Sequence, residues 1–268
     1  LLVGQQVSPQ LMLRLYGARP LQAHSAPTLH RIVRELANRA NLPRTPELYY
    51  IPSRMMNAFT VGTRQNAAIG VTDGLLRNLS QRELAGVLAH EIAHARDNDM
   101  RVMGFADMVS RITGLLSRMG QLLLIFNLPM LMMGQPTFSW VGVLLLISAP
   151  TLTGLLQLAL SRTREFQADL TAVRLTADPD GLAGALHKME TRQAGLLGRI
   201  FMPGYRTPEP SLLRSHPHTD ARIERLLSLR EPKRPRITEE FDREVEEVPQ
   251  SIPGPRRSPH WHATGIWR

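Results

Sequence analysis

The chain has 268 residues, 43% of them hydrophobic and 21% charged, which is enough for one large folded domain or two small ones. Lys+Arg 32 against Asp+Glu 23 gives a formal charge of +9, carried almost wholly by arginine because the only lysines are Lys188 and Lys233. With Cys 0, disulfides, thiolate metal sites and cysteine nucleophiles are excluded, and an aromatic share of 5% is too small for the stacking platforms of single-strand nucleic-acid binders.

Residues 1–26 hold Gly4, Gly17 and Pro20, which interrupt any long pattern. The chain opens at Leu1 with no recognisable signal peptide, so it reads as a fragment or a processed chain. Leu29, Ile32, Val33 and Leu36 follow helical spacing, and Asn41-Leu42-Pro43 ends that helix. Leu48–Ile51, Ala58–Val61 and Ala67–Val71 are short β-rich runs separated by turn residues, predicting a small sheet of about three strands. Ser80-Gln81-Arg82-Glu83 is a capping box that starts a helix carrying Leu84, Val87, Leu88 and Ile92 on one side.

The middle of the chain is apolar. Ser139 to Leu160 are 22 residues without a charge, against about 20 needed to span a bilayer. Gln121–Met133 is also uncharged, and extension back to Ile112 gives enough length if Arg118 snorkels. The methionines Met130, Met132 and Met133 fit membrane packing. The link Gly134–Phe138 has no Lys or Arg, whereas Arg96, Arg101 and Arg111 flank one side and Arg162, Arg164 and Arg174 the other. The positive-inside rule then places both flanks in the cytoplasm, with residues 112–160 as a transmembrane hairpin rather than a buried hairpin of a soluble protein. Beyond it, Gln157–Ala177 continues as an increasingly amphipathic helix, and a shorter helix runs through Leu182–Met189. Residues 231–268 are rich in Pro and Arg, with seven acidic and seven basic residues, and read as a disordered tail. The expected organisation is a mainly α chain with a small sheet: residues 1–111 and 161–230 form the two halves of one domain, interrupted by the hairpin.

His90-Glu91-Ile92-Ala93-His94 is the strongest chemical signal. Residues four apart share one helix face, so both imidazoles can address one metal, while Glu91 lies about 100° around and can reach a water at that metal without binding it. Without cysteine, a third ligand must be His, Asp or Glu. Met100 excludes a further histidine at the extended spacing, and no glutamate occurs between Glu91 and Glu165. Asp97 and Asp99 are too close along the same helix to share the metal. Glu165 is therefore the candidate ligand, and Asp169, one turn later on the same face, can accept the free N–H of a ligating imidazole. Asn57–Val61 can serve equally as an edge strand that binds extended peptide or as an ordinary sheet strand. His24, His30, His218, His260 and His262 carry no pattern of their own, and a lone His216-Pro217 reads as a turn.

Together with Met56-Asn57-Ala58-Phe59, Thr72-Asp73-Gly74-Leu75-Leu76, Arg164–Asp169 and His216-Pro217 followed by Arg222-Ile223, this motif gives a pattern over roughly Ala18–Leu229 that resembles the HtpX-type zinc membrane proteases, relatives of the CAAX prenyl endoproteases. The resemblance implies a gluzincin-like fold, one Zn2+ per chain on His90, His94 and Glu165, and a catalytic Glu91. It further implies that His216 and Arg222 stabilise the oxyanion and that Asn57, Ala58 and Phe59 hold substrate. A multi-pass protein of the bacterial inner membrane is implied, with its active site facing the cytoplasm and protein or peptide substrates drawn from misfolded and membrane proteins. Members carry two hydrophobic spans ahead of the point where this chain starts, and the tail lies outside the shared pattern. The implied partners are those substrates and the lipid bilayer, with no nucleic acid; no oligomeric state follows. An intramembrane metalloprotease is set aside because Gln81, Arg82, Arg96, Asp97 and Asn98 flank the histidine pair, and a non-catalytic adaptor because every expected catalytic residue is present.

Overall fold

The computed structural model describes Leu13 and residues 17–134, 139–200 and 219–229; His216 and the tail fall outside the described residues. The chain divides into two units, one made of Leu1–Asn98 with Phe166–Arg268 and the other of Asp99–Glu165.

In the first unit, α1 (Pro27–Arg39) starts on Pro27, whose fixed φ suits a first turn, and buries Leu29, Ile32, Val33, Leu36 and Ala37 along one stripe. The sheet comprises β1 (Arg19–Pro20), β2 (Glu47–Ile51), β3 (Ala58–Thr63) and β4 (Asn66–Thr72), in the order β1-β2-β4-β3. β2 runs parallel to β4, and β3 pairs antiparallel with β4, from Ala58 opposite Val71 to Thr63 opposite Asn66. The two-residue β1, antiparallel to β2, was not anticipated from the sequence. Alternation along β4 sends Ile69 and Val71 into the main core with α1 and the helix Gln81–Asp97, while Ala68 joins Leu13 and Val61 in a smaller cluster.

Thr72 caps the short helix α2 (Asp73–Asn78) by accepting from Leu75 N. Asp73 then accepts from the Tyr50 hydroxyl at 3.0 Å and from Arg77 Nε at 2.7 and 2.8 Å, tying β2 to the start of α2. Burial, and next the bond to Asp73, push the Tyr50 hydroxyl up to about 12.

The helix α3 (Gln81–Asp97) begins with the capping box as expected. The Ser80 hydroxyl accepts from Glu83 N and Ser80 N donates to Glu83 Oε2 at 2.8 Å. It stops where Asn98 turns left-handed at φ 54, a conformation Asn tolerates, and the Asn98 carboxamide accepts from Arg64 N at the β3–β4 turn. α6 (Pro179–Ile200) runs past Met189, longer than the hydrophobic pattern predicts, and α7 (Thr219–Ser228) returns Leu226 to the core. Buried Asp178 caps α6 through Gly181 N and is clamped by Arg82 from α3. Lys188 pairs with Glu83 at 2.7 Å.

The second unit holds α4 (Asp99–Met132) and most of α5 (Trp140–Thr176). Their partners run in opposite senses: Arg164 meets Asp99, the Ser110 hydroxyl donates to Gln157 at 2.8 Å, and Ser117 donates to the Ile147 carbonyl. Gly120 lets the helices approach, since a Cβ there would lie 2.8 Å from Leu146 Cβ. The outward faces expose Phe105, Leu115, Ile125 and Phe126 on α4 and Val141, Leu145, Leu152 and Leu156 on α5. Among the described residues, α5 is the helix long and apolar enough to cross a membrane.

The approach of α6 to α3 depends on Gly86, where a Cβ would stand 2.8 Å from Leu182 N and 2.9 Å from Leu182 Cα. Because the obstacle is backbone, Gly86→Ala is expected to destabilise the fold by about 1–3 kcal/mol, the usual cost of overpacking. Thermal and denaturant unfolding measure this directly, and an unchanged midpoint would show that the two helices can part without cost.

Candidate active site

The helix α3 buries both halves of the His-Glu pair, His90 at 3% exposure and Glu91 at 4%. His90 and His94 lie one turn apart with Nε2 atoms 3.0 Å from each other and ring planes at 86°. That spacing is close to the roughly 3.3 Å that two nitrogens need on one tetrahedral ion with bonds of about 2.0–2.1 Å. Glu165, buried, brings a carboxylate oxygen to them, and the ligand atoms of His90, His94 and Glu165 all lie within 4.8 Å of one another. Two neutral imidazoles and one carboxylate are a donor set that suits zinc. The residues fit the metal.

The other ring nitrogen of His90 is fixed. Its Nδ1 lies 2.9 Å from Asp169 Oδ1, so the ring presents Nε2 to the ligand cluster. Asp169 stands one helical turn after Glu165 on α5, as the sequence spacing requires. The same carboxylate accepts a bidentate pair from Arg222 of α7, Nε to Oδ2 and Nη2 to Oδ1, each at 2.7 Å. Arg222 Nη2 also lies 3.5 Å from His90 Nδ1. Burial alone pushes the Asp169 carboxyl up, but the hydrogen bonds from Arg222 and His90 outweigh it and hold the group down to about 2. The site therefore contains a carboxylate that stays charged although it is only 3% exposed.

Arg222 is 1% exposed and engages Asp169, a contact the sequence does not announce because the two are 53 residues apart. His216 lies outside the described residues. Asp97 pairs with Arg96 and Asp99 with Arg164. Asn57 and Ala58 are buried and Phe59 half-buried; Ala58 and Phe59 open the strand that ends the sheet, and Asn57 directly precedes it. Asn57 exchanges bonds with Thr72, its amide donating to the Thr72 hydroxyl at 2.9 Å and its carbonyl accepting at 2.8 Å. Thr60, two residues after Ala58 and so on the same face of β3, donates its hydroxyl to Glu91; strand alternation gives that face, but not the partner. Ala58, Val87, Leu182, Leu186 and Met189 line an apolar pocket that His90, Glu91 and Arg222 border.

Comparison with known proteins matches residues 23–230 to the pattern described as Peptidase family M48. A protease HtpX homolog of Burkholderia multivorans is 35% identical over 240 residues, covering 83% of this chain and 81% of that protein. The protease HtpX homolog of Methylibium petroleiphilum is 34% identical over 239 residues, with the same coverage. Among solved structures, the crystal structure of S. mikatae Ste24p aligns with a TM-score of 0.53 at 21% identity, over 82% of this chain and 54% of that one, which shows a shared fold.

Replacing one member of a buried, hydrogen-bonded ion pair leaves an uncompensated charge. Arg222→Met is therefore expected to lower stability by about 3–5 kcal/mol. It is also expected to weaken zinc binding roughly 10–100-fold, because Asp169 loses the group that orients it. Arg222→Lys keeps the charge without the fork and should fall between. Unfolding of metal-free protein and competition with a chromophoric chelator measure the two effects; parental values for Arg222→Met would mean that Asp169 is held without it.

Proposed function

From the premise that the chain belongs to peptidase family M48 and is a membrane metalloendopeptidase, we propose that its metal is a single zinc held by His90, His94 and Glu165 and that Glu91 is the general base. The observation that carries this reading is the convergence of these three ligands on α3 and α5, with Asp169 on the far nitrogen of His90. Zinc bound there supplies a Lewis acid that polarises the scissile carbonyl and acidifies water at neutral pH. Glu91 takes a proton from the attacking water and later delivers it to the leaving amine. Asp169 holds His90 in one tautomer, and Arg222 holds Asp169. His216 and Arg222, by resemblance to the family, are the groups that meet negative charge on the tetrahedral oxygen.

β3 is the strand against which substrate aligns. It ends the sheet, borders the apolar pocket through Ala58, and runs beside the zinc helix. Adding a strand to such an edge binds peptide backbone with little demand on sequence, which suits the misfolded and membrane proteins that the resemblance names as substrates. The site lies in the cytoplasm, on a multi-pass protein of the bacterial inner membrane. The support is the arginine flanks of the hairpin and the pairing of Asp99 with Arg164, which brings its two ends together. Peptidase halves 1–111 and 161–230 are then joined across a spanning segment at 112–160, with the tail at 231–268 outside the catalytic body.

Purified protein is expected to hold one zinc per chain by elemental analysis and to cleave casein until a chelator is added. Glu91→Gln should abolish cleavage and keep the zinc, because an amide replaces a base and not a ligand. Glu165→Ala should lose the zinc on dialysis, since two imidazoles alone bind weakly. Cleavage by Glu91→Gln within a few-fold of the parent, or stoichiometric zinc in Glu165→Ala, would overturn the respective role.

Topology has its own test, made clean by the lack of native cysteine. A cysteine placed at Gln135 should react with a membrane-impermeant thiol reagent in intact spheroplasts, and one at Ser215 only after lysis. Labelling of Ser215→Cys before lysis would reverse the orientation; protection of both would mean that the hairpin does not span.

A further inference from the structure

We propose that Thr60 is a positioning residue for Glu91: its hydroxyl holds one carboxylate oxygen of the general base so that the other faces the attacking water. The inference rests on the reading of Glu91 as that base. Thr60 lies on β3 and is 8% exposed, and its Oγ1 is 3.0 Å from Glu91 Oε2 and 3.0 Å from the Glu91 carbonyl oxygen.

A hydroxyl has a single proton to give. In a helix the carbonyl of residue 91 already accepts from the amide four residues on, whereas a charged carboxylate is the stronger acceptor. The proton therefore goes to Oε2.

The surroundings make such a tether necessary. Glu91 borders a pocket whose apolar walls are Ala58, Val87, Leu182, Leu186 and Met189, while Arg222, which also lines it, gives Nε and Nη2 to Asp169. A glutamate has several rotatable bonds, and a base that must meet first a water and then a leaving nitrogen works in a narrow range of positions. Thr60 supplies a partner from a strand whose backbone is fixed by pairing with β4, Thr60 lying opposite Ile69. Its β-branched side chain has restricted rotamers, so the hydroxyl is itself pre-aimed. Sheet and zinc helix are thus coupled at the reacting centre by one side chain, distinct from the backbone edge that would hold substrate.

The test compares Thr60→Val, which keeps the shape and removes the hydroxyl, with Thr60→Ser, which keeps the hydroxyl. With a peptide substrate, Thr60→Val is expected to lose roughly 10–100-fold in kcat with KM within about two-fold, and Thr60→Ser to recover most of the rate. Zinc content should stay at one per chain in both variants. In a Glu91→Gln background, where no turnover interferes, adding Thr60→Val should leave the Kd of the same peptide unchanged. Parental kcat in Thr60→Val overturns the inference, as does a Thr60→Ser enzyme as slow as Thr60→Val, or loss of zinc or peptide binding in step with rate. If Thr60→Val does not accumulate as folded protein, Thr60→Ala read against Thr60→Ser decides by the same criteria. Activity in Glu91→Gln itself would instead remove the base, a failure of the prior reading that is seen separately from any Thr60 result.

Discussion

The Asp169 carboxylate is the junction on which the site depends. It receives His90 from α3 and Arg222 from α7 while itself riding on α5, so three helices distant in sequence meet at two oxygen atoms. A buried carboxylate with no partner would take up a proton and lose its grip on both. With two charge-assisted bonds from a planar guanidinium, it remains ionised and can polarise the imidazole N–H that faces it. The arrangement contributes less to net stability than its Coulomb attraction implies, because all of the groups have left water. What it contributes is direction. One ring nitrogen is committed to Asp169, and only the other is available to a metal.

The rest of the unit keeps α3 in place beneath that junction. Gly86 lets α6 press its backbone against α3, Arg82 grips the cap of α6 at Asp178, and Lys188 reaches back to Glu83. At the other end Arg96 reaches Thr171, 75 residues later, and Asn98 receives the β3–β4 turn. A ligand pair on a helix is only as well aimed as the helix itself, and displacements of an ångström are costly in catalysis. Close contacts at both ends and along the length of α3 meet that requirement without drawing on the metal.

The local features of this structure were readable in the sequence, and the long-range polar ones were not. The capping box at Ser80, the helix face of His90 and His94, and the one-turn spacing of Glu165 and Asp169 each follow from a period of 3.6 residues. The strands at 48–51, 58–61 and 67–71 emerged from β-branched runs and turn residues, and the observed ends differ by one or two positions. By contrast, nothing in the neighbourhood of Arg222 marks Asp169 as its partner, because charge pairing across helices has no period. β1 is too short to show alternation, and α6 runs on through Gly195 and Gly198, residues of low helix propensity that mask its continuation in the sequence. Thr60 is the intermediate case: alternation places it on the side of α3, but only the fold supplies the carboxylate opposite.

The insertion of a helical hairpin between His94 and Glu165 is the feature that most constrains how such a site can form. Within that hairpin the partners Asp99 with Arg164, Ser110 with Gln157 and Ser117 with Ile147 keep one antiparallel register, so its first and last residues come together. Glu165 follows Arg164 directly, and α3 ends just before Asp99. Pairing of the hairpin therefore closes the loop from Asp99 to Arg164 within the hairpin itself, so the entropy cost of that closure is met by its own helix contacts. A slip by one helical turn would carry Arg164 about 5.4 Å along the axis and away from Asp99. The small residues and hydroxyls along the helix interface, Gly120, Ser110 and Ser117, thus set the register that keeps the two ends of the hairpin together.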